Sequence, residues 1–273
     1  MLPEQQEAAL WPRYGRQLAL DGWGLPAQQR LAKARVLIVG LGGLGSLTAG
    51  WLAAAGVGEI WLSDSDQVSL SNLHRQLLYR QSDIGWAKTR QAQRHLQQMA
   101  PGCRLHPLAA VDQARLPALL TPGGRALDLV LDGCDDQSTR LALNLACLQA
   151  GIPLLSAAVA GWQGSVALFD FRQSIAEHGC YACLYPATAR TADCQLAGVL
   201  GPVAGLVASQ QALVALRFLA DIAGDASRYV DRLDGRTGRW QRWLRQRDPT
   251  CCCGHTHLSA APQAGAEHKE KTP

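Results

Sequence analysis

Residues Val36 to Ser46 read VLIVGLGGLGS, four apolar residues followed by four glycines within six positions. Gly40, Gly42 and Gly45 meet the spacing G-x-G-x-x-G, in which small residues let backbone N–H groups and a helix N-terminus approach a phosphate. About 20 residues beyond such a loop a carboxylate is expected to hold a ribose hydroxyl, and Asp64 and Asp66 stand there. The pattern specifies a nucleotide with a ribose and leaves open whether it is a dinucleotide or ATP. No G-x-x-x-x-G-K-[ST] sequence occurs, so a P-loop does not account for any use of ATP.

The stretch SLSNLHRQLLYRQSDIGWAKTR, residues 69–90, bears on that choice. A helix dipole can largely neutralise a pyrophosphate, whereas a triphosphate calls for added cations and a metal. Asn72, Arg75 and Lys88 supply polar and cationic groups on the edge of the expected sheet that carries the glycine loop. Asp132 closes the run LDLVLD at the same edge, where a carboxylate suits Mg²⁺. Singly, Arg75 and Lys88 read as solvated charges and Asp132 as a cap for the helix that starts near DDQSTR. Their joint placement favours ATP.

Cysteines form a second group. Cys180 and Cys183 make a C-x-x-C in GCYACLYP, and Cys251, Cys252 and Cys253 follow far along the chain. Two soft-ligand pairs from distant segments can close a tetrahedral Zn²⁺ site that staples the chain without doing chemistry. The bland reading is a row of reactive surface thiols with no metal. Cys194 stands alone in TADCQLAGVLG. Cys103, Cys134 and Cys147 fall on expected strands or helices and read as small core residues.

The elements that must position these groups alternate. RVLIVG (35–40), EIWLSD (59–64) and RALDLVLDG (125–133) read as buried strands, with helices over 44–55, 88–99 and 139–150, the last ending at Gly151. PLLSAAV and GSVALFDF add two strands, the second alternating in the antiparallel manner. The run predicts an α/β, Rossmann-like, doubly wound and mostly parallel sheet with an antiparallel extension and a C-terminal zinc-stapled segment. One unit is expected over residues 1–254: a helical segment (1–33), a nucleotide-binding core (34–160), and a part holding the cysteines and a docking surface (161–254). Residues 255–273 read as a disordered tail.

Composition narrows the classes further. The 273 residues are 48% hydrophobic, enough for a full core, and 26 basic against 22 acidic residues give a formal net charge of +4. That balance points to neither nucleic acid nor a membrane surface. The N-terminus has no apolar signal core, so a cytoplasmic setting is expected, in which nine cysteines suit metal or catalysis better than disulfides. The apolar stretch from Ala197 is interrupted by Gln210, Gln211 and Arg217 and reads as a buried helix, not a membrane span. The stretch SRYVDRLDGRTGRWQRWLRQRD, residues 227–248, holds seven arginines, from Arg228 to Arg247, against three aspartates and reads as a solvated face or as a docking surface for an acidic partner.

RYGRQLAL, VLIVGLGGLGS, DSDQVSLSNLHRQLLY, GWAKTR, VLDGCDDQSTR, CYACLYP, CQLAGVLGPVAG and DPTCCCG occur in order along the chain. In that order and spacing they resemble the ubiquitin-activating-type adenylyltransferases of the ThiF/MoeB/HesA family, over about Arg13 to Gly254. The resemblance implies a homodimer that uses ATP and Mg²⁺ to adenylate the C-terminal Gly-Gly carboxylate of a small ubiquitin-like sulfur-carrier protein. ThiF-like enzymes of thiamine biosynthesis are favoured over MoeB-like enzymes of molybdenum-cofactor biosynthesis. It assigns Gly43 and the neighbouring loop amides to the phosphates and Asp64 to the ribose. Asn72, Arg75, Gln76 and Lys88 are assigned to the triphosphate, Asp132 to Mg²⁺, and Arg16 to the neighbouring subunit's site.

The chain departs from the family where a second C-x-x-C is expected and PTCCCGH stands. Cys251 with Cys253 fits the flanking Pro249 and Gly254, and Cys252 with His255 would restore the usual spacing. Cys194 matches a cysteine that ThiF-like enzymes can link to the carrier's thiocarboxylate. No rhodanese-type domain follows Gly254, so a separate sulfur donor, such as a cysteine desulfurase or rhodanese, is expected. An NAD-dependent oxidoreductase would share the glycine loop and Asp64 but leave Arg75, Lys88, Asp132 and the cysteine pairs unexplained.

Overall fold

The computed structural model describes residues 3–111, 113–173, 175–186, 198–251 and 253. Two helices, α1 (Pro3–Leu18) and α2 (Gly24–Lys33), precede the first strand. Then follow β1 (Arg35–Val39), α3 (Gly45–Ala55), β2 (Glu59–Ser63), α4 (Lys88–Met99), β3 (Arg104–Leu108), α5 (Leu116–Leu120), β4 (Leu129–Asp132) and α6 (Gln137–Ala150). The chain continues through β5 (Leu154–Ala160), β6 (Gln163–Phe169), a short α7 (Tyr181–Leu184), α8 (Gly201–Leu219), β7 (Tyr229–Asp234) and β8 (Arg239–Leu244).

All eight strands join one sheet in the order β3-β2-β1-β4-β5-β6-β7-β8. Strands β1 to β5 pair in parallel and β6 to β8 extend the sheet antiparallel, as expected. The order reverses beside β1, whose neighbours are β2 and β4. A doubly wound sheet opens a crevice at the carboxyl ends of its strands at such a reversal.

Every residue of β1 is buried, which explains an uninterrupted apolar run where a two-faced strand would alternate. Val36 and Ile38 join the core layer that includes Leu52, Leu96 and Val207, while Leu37 and Val39 join the opposite layer with Leu120, Leu143 and Phe169. Helix α8 is the one helix among the described residues long and apolar enough to cross a membrane, yet half of its most apolar window is buried in the fold. It packs on α3, β5 and β6. Gln211, fully buried on it, donates to the Asp132 and Leu155 carbonyls at 3.0 and 3.2 Å and accepts from Thr48 Oγ1 at 2.8 Å. The glutamine that interrupts the apolar run is therefore a cross-brace in the core.

Three regions differ from the expectation. β4 begins at Leu129 and not at Arg125, because Arg35 draws the preceding carbonyls away from a ladder: its guanidinium donates to the carbonyls of Pro122, Arg125 and Ala126. β3 forms at the sheet edge despite Pro107, since only one of its sides pairs. The arginine-rich stretch folds as the β7–β8 hairpin, with β8 exposed along its whole length. Residues 255–273 lie outside the described residues.

Candidate active site

The turn that follows β1 is built by two glycines packed on protein. Gly40 has φ +88°, a left-handed value that favours glycine, and a Cβ there would lie 2.8 Å from the Gly133 backbone. A Cβ on Gly45 would lie 1.8 Å from the Gly40 carbonyl oxygen. Gly45, expected to bind the nucleotide, does not line the cavity and instead lets α3 start against the strand end. Gly40, Gly42 and Gly43 do line it.

The cavity, about 450 Å³, sits at the reversal beside β1 and β4. Asp64, Asp66, Asn72, Arg75, Gln76 and Lys88 all line it. Asp64 directly follows β2 and fixes the loop from both oxygens: Oδ2 accepts from Leu41 N at 2.6 Å and Oδ1 from Asp66 N at 2.7 Å. Lys88 opens α4 and is only 3% exposed, which rules out the solvated surface charge. Its Nζ lies 2.8 Å from Asp66 Oδ2 and 4.0 Å from Asp64 Oδ2.

Arg75 is oriented by its own segment, donating to Asn72 Oδ1 at 2.9 Å and to the Ser71 carbonyl at 3.1 Å. Its side chain borders the glycine loop, where a Cβ on Gly43 would meet Arg75 Cγ at 3.4 Å. Tyr79 anchors the same segment by donating to the Leu41 carbonyl at 3.0 Å. Gln76 is buried on the wall, and its Oε1 has no hydrogen-bond partner among the described residues. An orphaned buried amide oxygen beside glycine amides and two cations fits a polyanionic nucleotide with hydroxyl or amino donors.

Asp132 departs from its expected place. Its carboxylate is 1% exposed and lies behind the cavity, accepting from Ser156 Oγ at 2.6 Å and from Cys134 N at 3.0 Å, with Arg140 Nη1 3.7 Å away. Asp135, three residues later, lines the cavity instead; it is exposed and, unlike Asp64 and Asp66 on the same cavity, its carboxylate makes no hydrogen bond or ion pair among the described residues. Between them Arg140 braces the turn, donating to the Cys134 and Ala157 carbonyls while its Nη1 faces Asp132. The helix cap is Asp136, which accepts from Thr139 N at 2.7 Å. Its hydrogen bonds from Ser138 and Thr139 hold its carboxyl down at about 2.

Sequence reasoning missed Asp135 and Arg140 because a strand end marks the edge of a sheet and does not tell which side chain of the following turn enters the crevice. Cys134 is a further correction. It lies on that turn and lines the cavity, with its thiol pushed well up by burial. Cys103 and Cys147 are buried as expected. Arg16 is exposed on α1 and does not line this cavity. Cys194, Cys252 and His255 lie outside the described residues.

The other two cysteine pairs do meet. The four sulfurs of Cys180, Cys183, Cys251 and Cys253 lie within 4.8 Å of one another. Cys180 is 4.0 Å from Cys183 and 3.8 Å from Cys251, and Cys183 is 3.5 Å from Cys253. A tetrahedron with Zn–S bonds of about 2.3 Å has edges of about 3.8 Å, so the cluster fits one ion. A hydrogen bond from the Cys180 thiol, prevailing over burial, lowers the Cys183 thiol, whereas burial raises those of Cys251 and Cys253. Asn144 on α6 fixes the knuckle by accepting from Tyr181 N at 2.9 Å and donating to Cys180 Sγ at 3.5 Å.

Fold and cavity together define a nucleotide-binding α/β protein of the doubly wound kind. The chain belongs to the ThiF family, whose model matches residues 14–253. It is 38% identical over 244 residues to the sulfur carrier protein ThiS adenylyltransferase of Escherichia coli K12, covering 89% of this chain and 94% of that one. It is equally, 38%, identical over 245 residues to the molybdopterin-synthase adenylyltransferase of the same organism, covering 89% and 96%. Among solved structures, Escherichia coli MccB with ATP superposes with a TM-score of 0.72 at 21% identity, covering 92% of this chain and 82% of that chain. At that identity the likeness shows the fold alone.

Proposed function

We propose that this chain adenylates the C-terminal Gly-Gly carboxylate of a small ubiquitin-like sulfur-carrier protein, consuming ATP and releasing pyrophosphate. The observation that carries the reading is the buried Lys88 ammonium at the mouth of the glycine loop, with Arg75 on the same cavity. Relatives named as adenylyltransferases support it at 38% identity.

The nucleophile is the carrier's own carboxylate, ionised at neutral pH. It attacks the α-phosphorus, the bond to the β-phosphate oxygen breaks, and pyrophosphate leaves with the bonding pair. No proton moves, so the site needs no general base and works by positioning and charge neutralisation. The amides around Gly42 and Gly43 cradle phosphate, Arg75 and Lys88 offset its charge, Asn72 holds Arg75, and Asp64 takes the ribose. Gln76 Oε1 accepts a donor from the nucleotide. Mg²⁺, when bound, screens the phosphate oxygens and polarises the reacting one. Asp135 is the carboxylate available to hold it, in place of Asp132.

Around this reaction the four cysteines hold a structural Zn²⁺ that ties residues 180–183 to residues 251–253. Arg16 acts in the site of a second copy within a homodimer. The carrier is ThiS-like, in thiamine biosynthesis. A MoaD-like carrier, in molybdenum-cofactor biosynthesis, is the alternative, favoured by the equal identity to a molybdopterin-synthase adenylyltransferase. Cys194 takes part in sulfur transfer from a separate donor in the first case. The setting is cytoplasmic.

Thermal stabilisation by Mg-ATP and not by NAD, together with carrier-dependent pyrophosphate exchange, tests the class. Stabilisation by NAD alone would return the chain to the oxidoreductases. Capture of the cell's small proteins that end in Gly-Gly on the immobilised enzyme decides between the carriers.

A further inference from the structure

Arg245 stands immediately after β8 and is 2% exposed. Its guanidinium donates to three carbonyls, those of Gly179 at 3.3 Å, Leu168 at 3.1 Å and Ser227, and lies 4.3 Å over the Phe169 ring. Its Nε has no hydrogen-bond partner among the described residues. Among the described residues no carboxylate comes within ion-pair distance of it, whereas the chain's other buried arginines, Arg35 and Arg140, each approach one. A buried guanidinium facing only neutral groups is costly, because burial removes its hydration without supplying a counter-charge.

The counter-charge lies one residue beyond the Gly179 carbonyl. Cys180 begins the four-cysteine knuckle, and the Gly179 carbonyl that Arg245 Nη1 grips at 3.3 Å is bonded directly to it. Four thiolates around a divalent ion leave an excess of negative charge in a site lined by Phe169, Phe171 and Tyr181. Each charge is expensive without the other. Neutral hydrogen-bond donors to the same carbonyls would satisfy the geometry and leave that excess uncompensated.

We propose that Arg245 is the buried counter-ion of the zinc site, a positioning residue whose positive charge sets how tightly the four cysteines hold the metal. The proposal rests on the zinc reading above. It also ties the site to the hairpin, because the same side chain bonds the end of β6, the start of the knuckle and the turn before β7.

Two variants separate charge from hydrogen bonding. R245Q keeps donors for the carbonyls and loses the charge; R245K keeps the charge and loses the planar fork. Full-length protein purified without chelators is first assayed for metal, and zinc below about half an equivalent per chain overturns the metal reading and the proposal with it. With zinc present, retention is measured by competition with a chromophoric chelator and, after exchange to Co²⁺, by the thiolate-to-metal absorption. The expected result is zinc lost about 10- to 100-fold more readily from R245Q, with R245K close to the unmodified chain. Wild-type retention in R245Q, or equal weakness in R245K and R245Q, overturns the counter-ion role while leaving the zinc site standing. Should R245Q not fold, R245K against the unmodified chain decides, since retention lost there as well means that the fork and not the charge matters.

Discussion

Lys88 is tied to Asp66 twice: its backbone N–H donates to the Asp66 carbonyl at 3.0 Å, and its Nζ lies 2.8 Å from the Asp66 carboxylate. The segment between them thus closes on itself and holds a buried ammonium on the cavity beside the glycine loop. Lys88→Met removes that charge. Carrier-dependent pyrophosphate exchange should fall by about 100- to 1000-fold, the range seen when one preorganised charge-stabilising group is lost. Exchange close to that of the unmodified chain would remove Lys88 from the mechanism.

Asp132 and Asp135 are expected to fail in different ways. Asp135→Asn should abolish Mg²⁺-dependent exchange and leave the melting temperature nearly unchanged, because the carboxylate is exposed and bears no structural bond. Asp132→Ala strands Arg140, Ser156 and the Cys134 amide in the core and should cost roughly 3–5 kcal/mol in urea unfolding. Loss of exchange in Asp132→Ala with full stability would restore Asp132 to the metal.

Stripping zinc should unfold the knuckle before the nucleotide site. Cys253→Ser removes one ligand, and the melting temperature is expected to fall by roughly 10 °C, reflecting several kcal/mol of metal-linked folding free energy. Mg-ATP binding by the variant below its transition should persist. Simultaneous loss of nucleotide binding would mean that the two regions fold as one unit.

Salt tests the hairpin. Arg232, Arg236 and Arg239 are exposed on or beside the strands β7 and β8, so an acidic carrier docking there should show an apparent KM that rises steeply with ionic strength. Arg239→Glu should raise that KM at low salt and flatten its salt response. A KM indifferent to salt would leave the arginines as a solvated face.

Glu59 carries a pH signature of folding. Burial pushes its carboxyl up, but hydrogen bonds from Arg104, His106 and Arg35 prevail and hold it at about 2, below its ordinary 4.5. A folded value below the unfolded one means that the contribution is fully present above about pH 4.5 and is lost as pH falls toward 2. The stability difference between the unmodified chain and Glu59→Gln should therefore shrink across that window in urea titrations. A difference constant with pH would deny the linkage.

Much of this architecture was legible because burial leaves a periodic mark. The run from Val36 to Val39 and the limits of α4 follow from apolar spacing and the stop at Pro101. The β7–β8 hairpin escaped notice because neither strand alternates: Val230 and Leu233 are buried in opposite core layers with Asp231 buried between them, while every residue of β8 is exposed. Spacing also placed Arg75 and Lys88 on one cavity. It could not separate Asp132 from Asp135, since that distinction is made by Arg140 gripping the Cys134 carbonyl and turning the chain between them.

The contact between Gly40 and Gly133 has a consequence for change in this protein. With no room for a single methyl group between the ends of β1 and β4, the floor of the nucleotide site is closed to drift by substitution. New specificity, whether selected or engineered, has to be written on the walls, in the stretch from Ser71 to Gln76 and in the turn that carries Asp135.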